Sequence, residues 1–486
     1  MKKRYMRILL LSVISVFVMG SWANADEMVR RIIIFQDNVS QNEIEAYAAS
    51  QNEAEVVGYV PFINGVVLSM PDTTTPESLA NDDLVFNVEG DQQTEVEPIG
   101  ILNNDGEPEE VYYEVLTNSI ISKLFFFDDD KLRPWGIMNL YELPYEPLAY
   151  ISTLKDRKKI PAIIRRAMEN SKLEQLSIAI FDTGVDYTHE QIEGYVMGGV
   201  DLVNMTPGIP MDDNGHGTHV TATIAGSTTG LANGVNLYAV KVLDENACGE
   251  VSTLIMALQW AIDNDIDMVN MSIAYRDDKP VVRLAIQKAS EMGLILVAAV
   301  GNHSNWIEDD EGAGDGGAGD GGAGDGGAGD GGASDDGGTV NPYPVMYPAA
   351  YPQVIGVSAH DAYGVTASFA NTGPEVDVTA PGVNVVSASV LSLGTYSVKC
   401  YDVKSGTSMA TPHVVGTIAL MLALDQEGYL RDSPEKIRAI LTDTAVDGKL
   451  NLVNALEATD SLNQLVPVES STEKIEASLA PVSLIK

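Results

Sequence analysis

Four short segments carry the side chains best placed by type and context to do chemistry. Asp182 lies in Phe181-Asp182-Thr183-Gly184-Val185-Asp186, directly after an apolar run. A carboxylate at such a strand end can be fixed by loop amides and aimed at a neighbour, although a turn-capping Asp would read the same way. His216 lies in Asn214-Gly215-His216-Gly217-Thr218-His219. Its flanking glycines let the backbone approach closely and leave the imidazole free to swing into a cleft. A zinc site is the competing reading, but His216 and His219 lack a third ligand nearby, and His219 is expected to pack inside. Asn302 closes Ala299-Val300-Gly301-Asn302, where its amide could donate to developing negative charge; Gly-Asn also ends many ordinary strands. Ser408 lies in Ser405-Gly406-Thr407-Ser408-Met409-Ala410-Thr411-Pro412-His413, ahead of an apolar helix over 414–424. A serine at a helix start gains an outward N–H and a dipole that favours an oxyanion, though serine is also a common helix cap. Pro412 is expected in the first helical turn, where a missing N–H costs little. An orienting acid, an imidazole base, a serine and an amide donor are the components of acyl transfer through an activated serine.

The elements that must position these groups are legible from residue 176 onward. Strands are expected over 178–181, 238–243, 268–273 and 294–300, with helices over 220–225, 252–264 and 281–292. Short Val- and Ile-rich strands alternating with helices predict an α/β fold whose parallel sheet is covered on both faces. Functional groups then collect at the carboxyl ends of the strands. A further helix over 160–171, with Arg165 and Arg166 opposite Ile163, Ile164 and Ala167, should pack across the domain surface. Residues 30–90 read as a separate α+β unit: strands over 31–35, 56–60, 65–70 and 84–88, a helix over 42–51, and an Asn64-Gly65 turn. So short a unit has a marginal core and is expected to lean on a partner surface.

Composition excludes several classes. With 29 Lys and Arg against 69 Asp and Glu, the formal charge is −40, which argues against nucleic acid and anionic membrane as partners. Cys248 and Cys400 are too few for a disulfide framework or a multi-cysteine zinc site, and their pairing stays open. Lys2, Lys3, Arg4 and Arg7 precede an apolar run and Ala23-Asn24-Ala25, the pattern of a signal peptide cut after Ala25. No later stretch is read as a membrane span. A secreted or periplasmic location is expected.

The four segments, in the order Asp, His, Asn, Ser, resemble the subtilisin-like serine proteases (subtilases, peptidase S8 family), and Ser405–Pro412 is the most specific match. The resemblance runs from Pro134-Trp135-Gly136-Ile137 to about residue 458, and residues 30–90 resemble the family's inhibitory propeptide. It implies a three-layer subtilisin-like α/β fold with a mostly parallel central sheet, preceded by a small α+β propeptide domain. It implies a serine endopeptidase made as a self-inhibited precursor. Ser408 would attack the scissile carbonyl, His216 would relay the proton, Asp182 would orient the imidazole, and Asn302 with the Ser408 N–H would bind the oxyanion. Extended substrate would pair with Ser272-Ile273-Ala274 on one side and Ala247-Cys248-Gly249 on the other, with Val300 and Gly301 at the primary pocket. Ala274 and Tyr275 stand where the family usually has a Gly pair, and Val300 replaces a common Ala, so a narrow pocket with a lower rate on large aromatic side chains is expected. The segment 226–235 lacks the Asn-rich loop of calcium-dependent members. No metal ligand is assigned and no cofactor is required; calcium at Asp201 or Asp212 stays open.

The implied organisation is a signal peptide (1–25), a propeptide domain (26–97), a linker holding the processing site (98–131), a catalytic domain (132–460) and a tail (461–486). Within the catalytic domain, residues 312–331 repeat Gly-Ala-Gly-Asp-Gly, with Asp315, Asp320, Asp325 and Asp330 in register, followed by a degenerate copy through Asp336. Such sequence cannot bury a core. A neutral spacer is the plainest reading, beside carboxylates that steer cationic substrates or a calcium-binding repeat. Polypeptide substrates and the protein's own propeptide are the implied partners, and a monomer is expected. Two other classes compete. A catalytically idle peptide-binding relative would be expected to lose one of the four groups. A lipase or esterase built on Gly406-Thr407-Ser408-Met409-Ala410 would run in the chain order Ser, Asp, His.

Overall fold

A computed structural model describes residues 28–51, 53–91, 93–95, 160–302, 344–393, 396–431 and 433–465. The expected signal peptide, the linker over 98–131, the start of the resemblance near Pro134 and the repeat over 312–336 lie outside the described residues, as does the tail beyond 465. The chain divides into two compact units, Met1–Tyr59 with Asn64–Gly90, and Val60–Ile63 with Asp91–Lys486.

The first unit contains β1 (Met28–Phe35), α1 (Gln41–Ser50), β2 (Glu55–Val60), β3 (Gly65–Pro71), α2 (Pro76–Ala80) and β4 (Val85–Gly90). Its sheet runs β2-β3-β1-β4, with β1 antiparallel to both β3 and β4. The α1 start is a capping box in which the Ser40 N–H donates to Glu43 Oε2 at 2.8 Å. Ile33, Phe35, Ile44, Tyr47, Val66, Leu68 and Leu79 form its core, with Phe35 edge-on to Tyr47 at 5.1 Å. The Asn64-Gly65 turn places Asn64 at φ 56°, where its amide donates to Gln36 O at 2.6 Å.

The second unit is built on an eight-stranded sheet. Its strands are β6 (Ser177–Asp182), β7 (Val196–Asp201), β8 (Thr206–Pro207), β9 (Asn236–Lys241), β11 (Met268–Met271), β12 (Ile295–Ala299), β13 (Val354–His360) and β14 (Val378–Pro381), in the order β14-β13-β12-β11-β6-β9-β7-β8. Every pairing is parallel except β7 with β8. Ile178, Ile180, Met268, Ile295, Val297, Ile355 and Val357 enter one core. The alternate positions Ala179, Phe181, Val269, Met271, Leu296 and Ala298 are equally buried, as a sheet covered on both faces requires. Along one face lie α3 (Ala162–Met168), α4 (His216–Ala225), α7 (Thr407–Leu424), α8 (Pro434–Thr444) and α9 (Leu452–Leu465). A second pair, α5 (Val251–Asp263) and α6 (Pro280–Glu291), packs together with α5 on β6.

Two expectations are revised and one element is added. With a mean hydropathy of 1.4 over 18 residues, α7 is apolar enough to cross a membrane, yet it is wholly buried and is the core helix of this unit. The expected tail boundary at 460 falls inside α9, whose Asn463 caps the neighbouring loop by accepting from Gln426 N–H and donating to Leu424 O. A long hairpin of β15 (Val385–Leu393) and β16 (Tyr396–Lys404) intervenes before Ser408 and packs on α4. Cys400, on β16, and Cys248 form no disulfide with each other.

Candidate active site

β6 and β11 are neighbours in the sheet, but the chain leaves β6 toward β7 and β9 before crossing back to β11. That reversal opens a crevice at the strand carboxyl ends. Asp182 is the last residue of β6 and is fully buried. Its Oδ1 accepts from Thr183 N–H at 2.8 Å and from His216 Nδ1–H at 2.8 Å. His216 opens α4, whose cap Gly215 adopts φ 99°. A Cβ there would stand 2.6 Å from Val390 O, so both conformation and hairpin contact demand glycine. The ring of His216 is therefore fixed at Nδ1, while Nε2 has no hydrogen-bond partner among the described residues. His219, one turn on, is fully buried, donates from Nε2 to Val385 O at 3.0 Å, and is held neutral as burial pushes its pKa well down. It packs inside, as the sequence predicts.

A buried polar clamp behind this pair was missed by the sequence reading. Asp212 Oδ1 accepts from Thr183 Oγ1–H (2.8 Å), Asn214 N–H (3.0 Å) and Gly215 N–H (2.9 Å), and Oδ2 from Thr218 N–H (2.9 Å) and Oγ1–H (2.6 Å). One carboxylate thus ties the loop after Asp182 to the helix start that carries His216. Both its oxygens accept from protein donors. Asp201 likewise accepts from Asn204 N–H and Nδ2–H. Among the described residues no group of three or more His, Cys, Asp or Glu could hold a metal ion. Lys241, 2% exposed, donates to Thr183 O and to Asp213 Oδ1, each at 2.7 Å. Burial raises the Asp213 pKa, against the opposing pull of Lys241.

Ser408 is the second residue of α7 and 4% exposed. Its hydroxyl donates to Ser272 O at 3.1 Å and not to His216. Asp182 and His216 are thus in contact, and Ser408 stands against the end of β11. Pro412 is the sixth helical residue and lies beyond the first turn expected for it. It has no N–H to offer the Ser408 carbonyl, and Ser272 Oγ–H fills that vacancy at 2.8 Å. Counting from Thr407 in the sequence would have revealed the orphaned carbonyl. Asn302 Oδ1 accepts from Thr407 N–H and Thr407 Oγ1–H, both at 2.9 Å, so its oxygen caps α7 and its Nδ2 remains for another acceptor. Gly301 N–H donates to the same hydroxyl at 3.3 Å.

The remaining sequence-predicted residues lie in or just after three strands of this unit. Ser272, Ile273 and Ala274 follow β11, and Val300 and Gly301 follow β12. Cys248 and Gly249 lie in β10 (Cys248–Glu250), whose edge is already paired: β5 (Gln93–Glu95) runs antiparallel to it, Cys248 opposite Glu95 and Gly249 opposite Thr94. Just before β5, the Asp91 carboxylate accepts from Ser252 N–H at 2.9 Å and from the Ser252 hydroxyl, capping α5. No strand signal over 93–95 predicted this pairing.

The sequence profile described as Peptidase_S8, Subtilase family, matches residues 174–464, more than half the chain. This chain belongs to the subtilase family. Subtilases similar to it include the minor extracellular protease Epr of Bacillus subtilis (strain 168), 32% identical over 324 residues that cover 64% of this chain and 43% of Epr. The thermostable alkaline protease of Halalkalibacterium halodurans is 35% identical over 273 residues, covering 55% of this chain and 61% of that protein. Subtilisin E of Bacillus subtilis (strain 168) is 33% identical over 308 residues, 62% of this chain and 69% of the enzyme. The chain therefore spans about two fifths to two thirds of the length of these subtilase relatives.

Proposed function

We propose that the protein is an exported serine endopeptidase, made as a self-inhibited precursor, that cleaves peptide bonds through Ser408, His216 and Asp182. The observation that carries this reading is the 2.8 Å bond from His216 Nδ1–H to Asp182, which sets the tautomer and leaves Nε2 without a partner among the described residues and able to act as the base. When substrate enters, the Ser408 hydroxyl leaves the Ser272 carbonyl for His216 Nε2. It then attacks the scissile carbonyl, His216 takes its proton, and the carbonyl oxygen gains negative charge. The Asn302 Nδ2–H and the Ser408 N–H at the α7 start stabilise that charge. Collapse of the tetrahedral adduct expels the amine, which takes the proton from His216, and water repeats the sequence on the acyl-serine. No step needs a metal or cofactor.

The pairing of β5 on β10 supports the precursor reading, because an added antiparallel strand is the binding mode an extended peptide would use. The names of the relatives, an extracellular protease among them, support export and polypeptide substrates. One observation favours a second reading, a catalytically idle peptide binder: the Ser408 hydroxyl is bonded to Ser272 and not to the imidazole. N-terminal sequencing of purified wild type beside Ser408→Ala tests the proposal. Self-processing in the first and an intact precursor in the second is the expected result. If both keep the same start and an active-site serine phosphonate labels neither, the idle reading replaces it.

A further inference from the structure

Asn270 is a polar residue in an apolar part of the sheet. It lies on β11, opposite Ile180 of β6 and Val297 of β12, and is fully buried. Both of those neighbours belong to the core that α7 joins. The Asn270 Nδ2–H donates to Ser272 Oγ at 3.0 Å, while Oδ1 has no hydrogen-bond partner among the described residues. Burying an amide oxygen without a donor is unfavourable, and an aliphatic side chain of similar size would escape that cost. The amide therefore weakens the strand that carries it, and the bond it makes leads toward Ser408.

The sense of that bond follows from Pro412. Because Pro412 has no N–H, the Ser408 carbonyl depends on the hydroxyl proton of Ser272, at 2.8 Å. A serine hydroxyl has one proton and two lone pairs. With its proton committed to Ser408 O, Ser272 Oγ can only accept from Asn270, so the amide must present Nδ2 and not Oδ1. In the other direction, the Ser408 hydroxyl donates to Ser272 O at 3.1 Å. The three side chains thus form a relay of fixed sense, from amide to hydroxyl and from hydroxyl to the Ser408 backbone. We infer that Asn270 is a positioning residue for Ser408, acting through Ser272. By occupying a lone pair of the Ser272 hydroxyl it keeps that proton on the Ser408 carbonyl, which holds the first turn of α7 and the direction of the Ser408 side chain. The inference rests on Ser408 as the nucleophile. Without the amide the Ser272 hydroxyl is free to rotate, and attack by a nucleophile is sensitive to small displacements.

The test is a double-mutant cycle in the full-length protein, with Asn270→Leu, Ser272→Ala and the two combined, on one peptide substrate. Turnover is counted per serine titrated with an active-site phosphonate, so a partly unfolded sample cannot mimic the effect. Asn270→Leu should lower kcat about five- to tenfold, the scale of one lost hydrogen bond, with KM within about twofold. Its melting temperature should stay level or rise, because the orphaned oxygen leaves with the amide. In the Ser272→Ala background the same replacement should leave kcat within about twofold, since the relay is already cut. An unchanged kcat in Asn270→Leu beside an active wild type overturns the inference alone. So do equal losses of kcat in the two backgrounds, or a failure of both Asn270→Leu and Asn270→Ala to fold, which would make the amide a structural necessity. A wild type that neither hydrolyses the peptide nor takes the phosphonate overturns the protease reading, and the positioning role with it.

Discussion

The two halves of the site are built on different principles. Asp182 and His216 are held by polar groups: the buried Asp212 carboxylate, Lys241 and the Thr183 hydroxyl bind the two loops to each other. Ser408 and Asn302 are held by an apolar helix, with only a handful of bonds fixing its first turn to β11 and β12. The lesson is one of division of labour. In the proposed mechanism the Asp182–His216 pair must keep one geometry through proton transfer, which the Asp212 clamp behind it enforces. In the proposed mechanism Ser408 must rotate, and a rigid helix whose hydroxyl is held by one bond to Ser272 O permits that.

Substitutions can break this contrast at graded strengths. His216→Ala and Ser408→Ala should each lower kcat/KM by roughly 10⁴-fold or more with a nearly unchanged melting temperature, since neither side chain belongs to the structural network. Asn302→Asp keeps the oxygen that caps α7 and loses the donor, so kcat should fall about 10²–10³-fold while thermal stability holds. Loss of both together would show the cap to be the main role. A pH titration sharpens the difference at the level of the core. Burial pushes the pKa of His413, on α7, down to about 4. The folded protein therefore keeps it neutral between about 6.5 and 4 while the unfolded chain protonates, so stability should fall with pH across that window by about 3 kcal/mol. Urea unfolding in a Ser408→Ala background should show that acid limb, and His413→Gln should make it shallower, the buried His219 supplying the remainder. Asp212→Asn turns acceptor lone pairs into N–H groups facing N–H groups and should cost about 2 kcal/mol of stability, with kcat falling in parallel. The mildest change is Ser272→Ala, which orphans the Ser408 carbonyl at a cost of about 1–2 kcal/mol by urea unfolding.

Much of the sheet was legible because its signals are local. The runs expected as strands over 178–181 and 294–300 are short and apolar, and the structure ends β6 one residue later, at Asp182, and β12 one residue earlier, at Ala299. Asn302 and Ser408 could be located from the strand end and helix start that follow such patterns. What escaped was non-local or lacking in hydrophobic pattern. Asp212 looks like any loop aspartate until its donors arrive from Thr183 and Thr218. β5 is a polar triplet whose structure depends on the partner β10. Met346 gives no sign in sequence of lying on Gly301, because only the crossing of two loops brings them together. Helix α9 outran its expected end because Asn463 finds acceptor and donor on a distant loop.

Pro412 has an effect beyond its own helix. A residue usually blamed for interrupting a rod here acts as a coupling, because the carbonyl it abandons recruits a hydroxyl from the adjacent sheet. The end of β11 and the start of α7 are thereby mechanically linked: a shift of Ser272 is passed directly to Ser408.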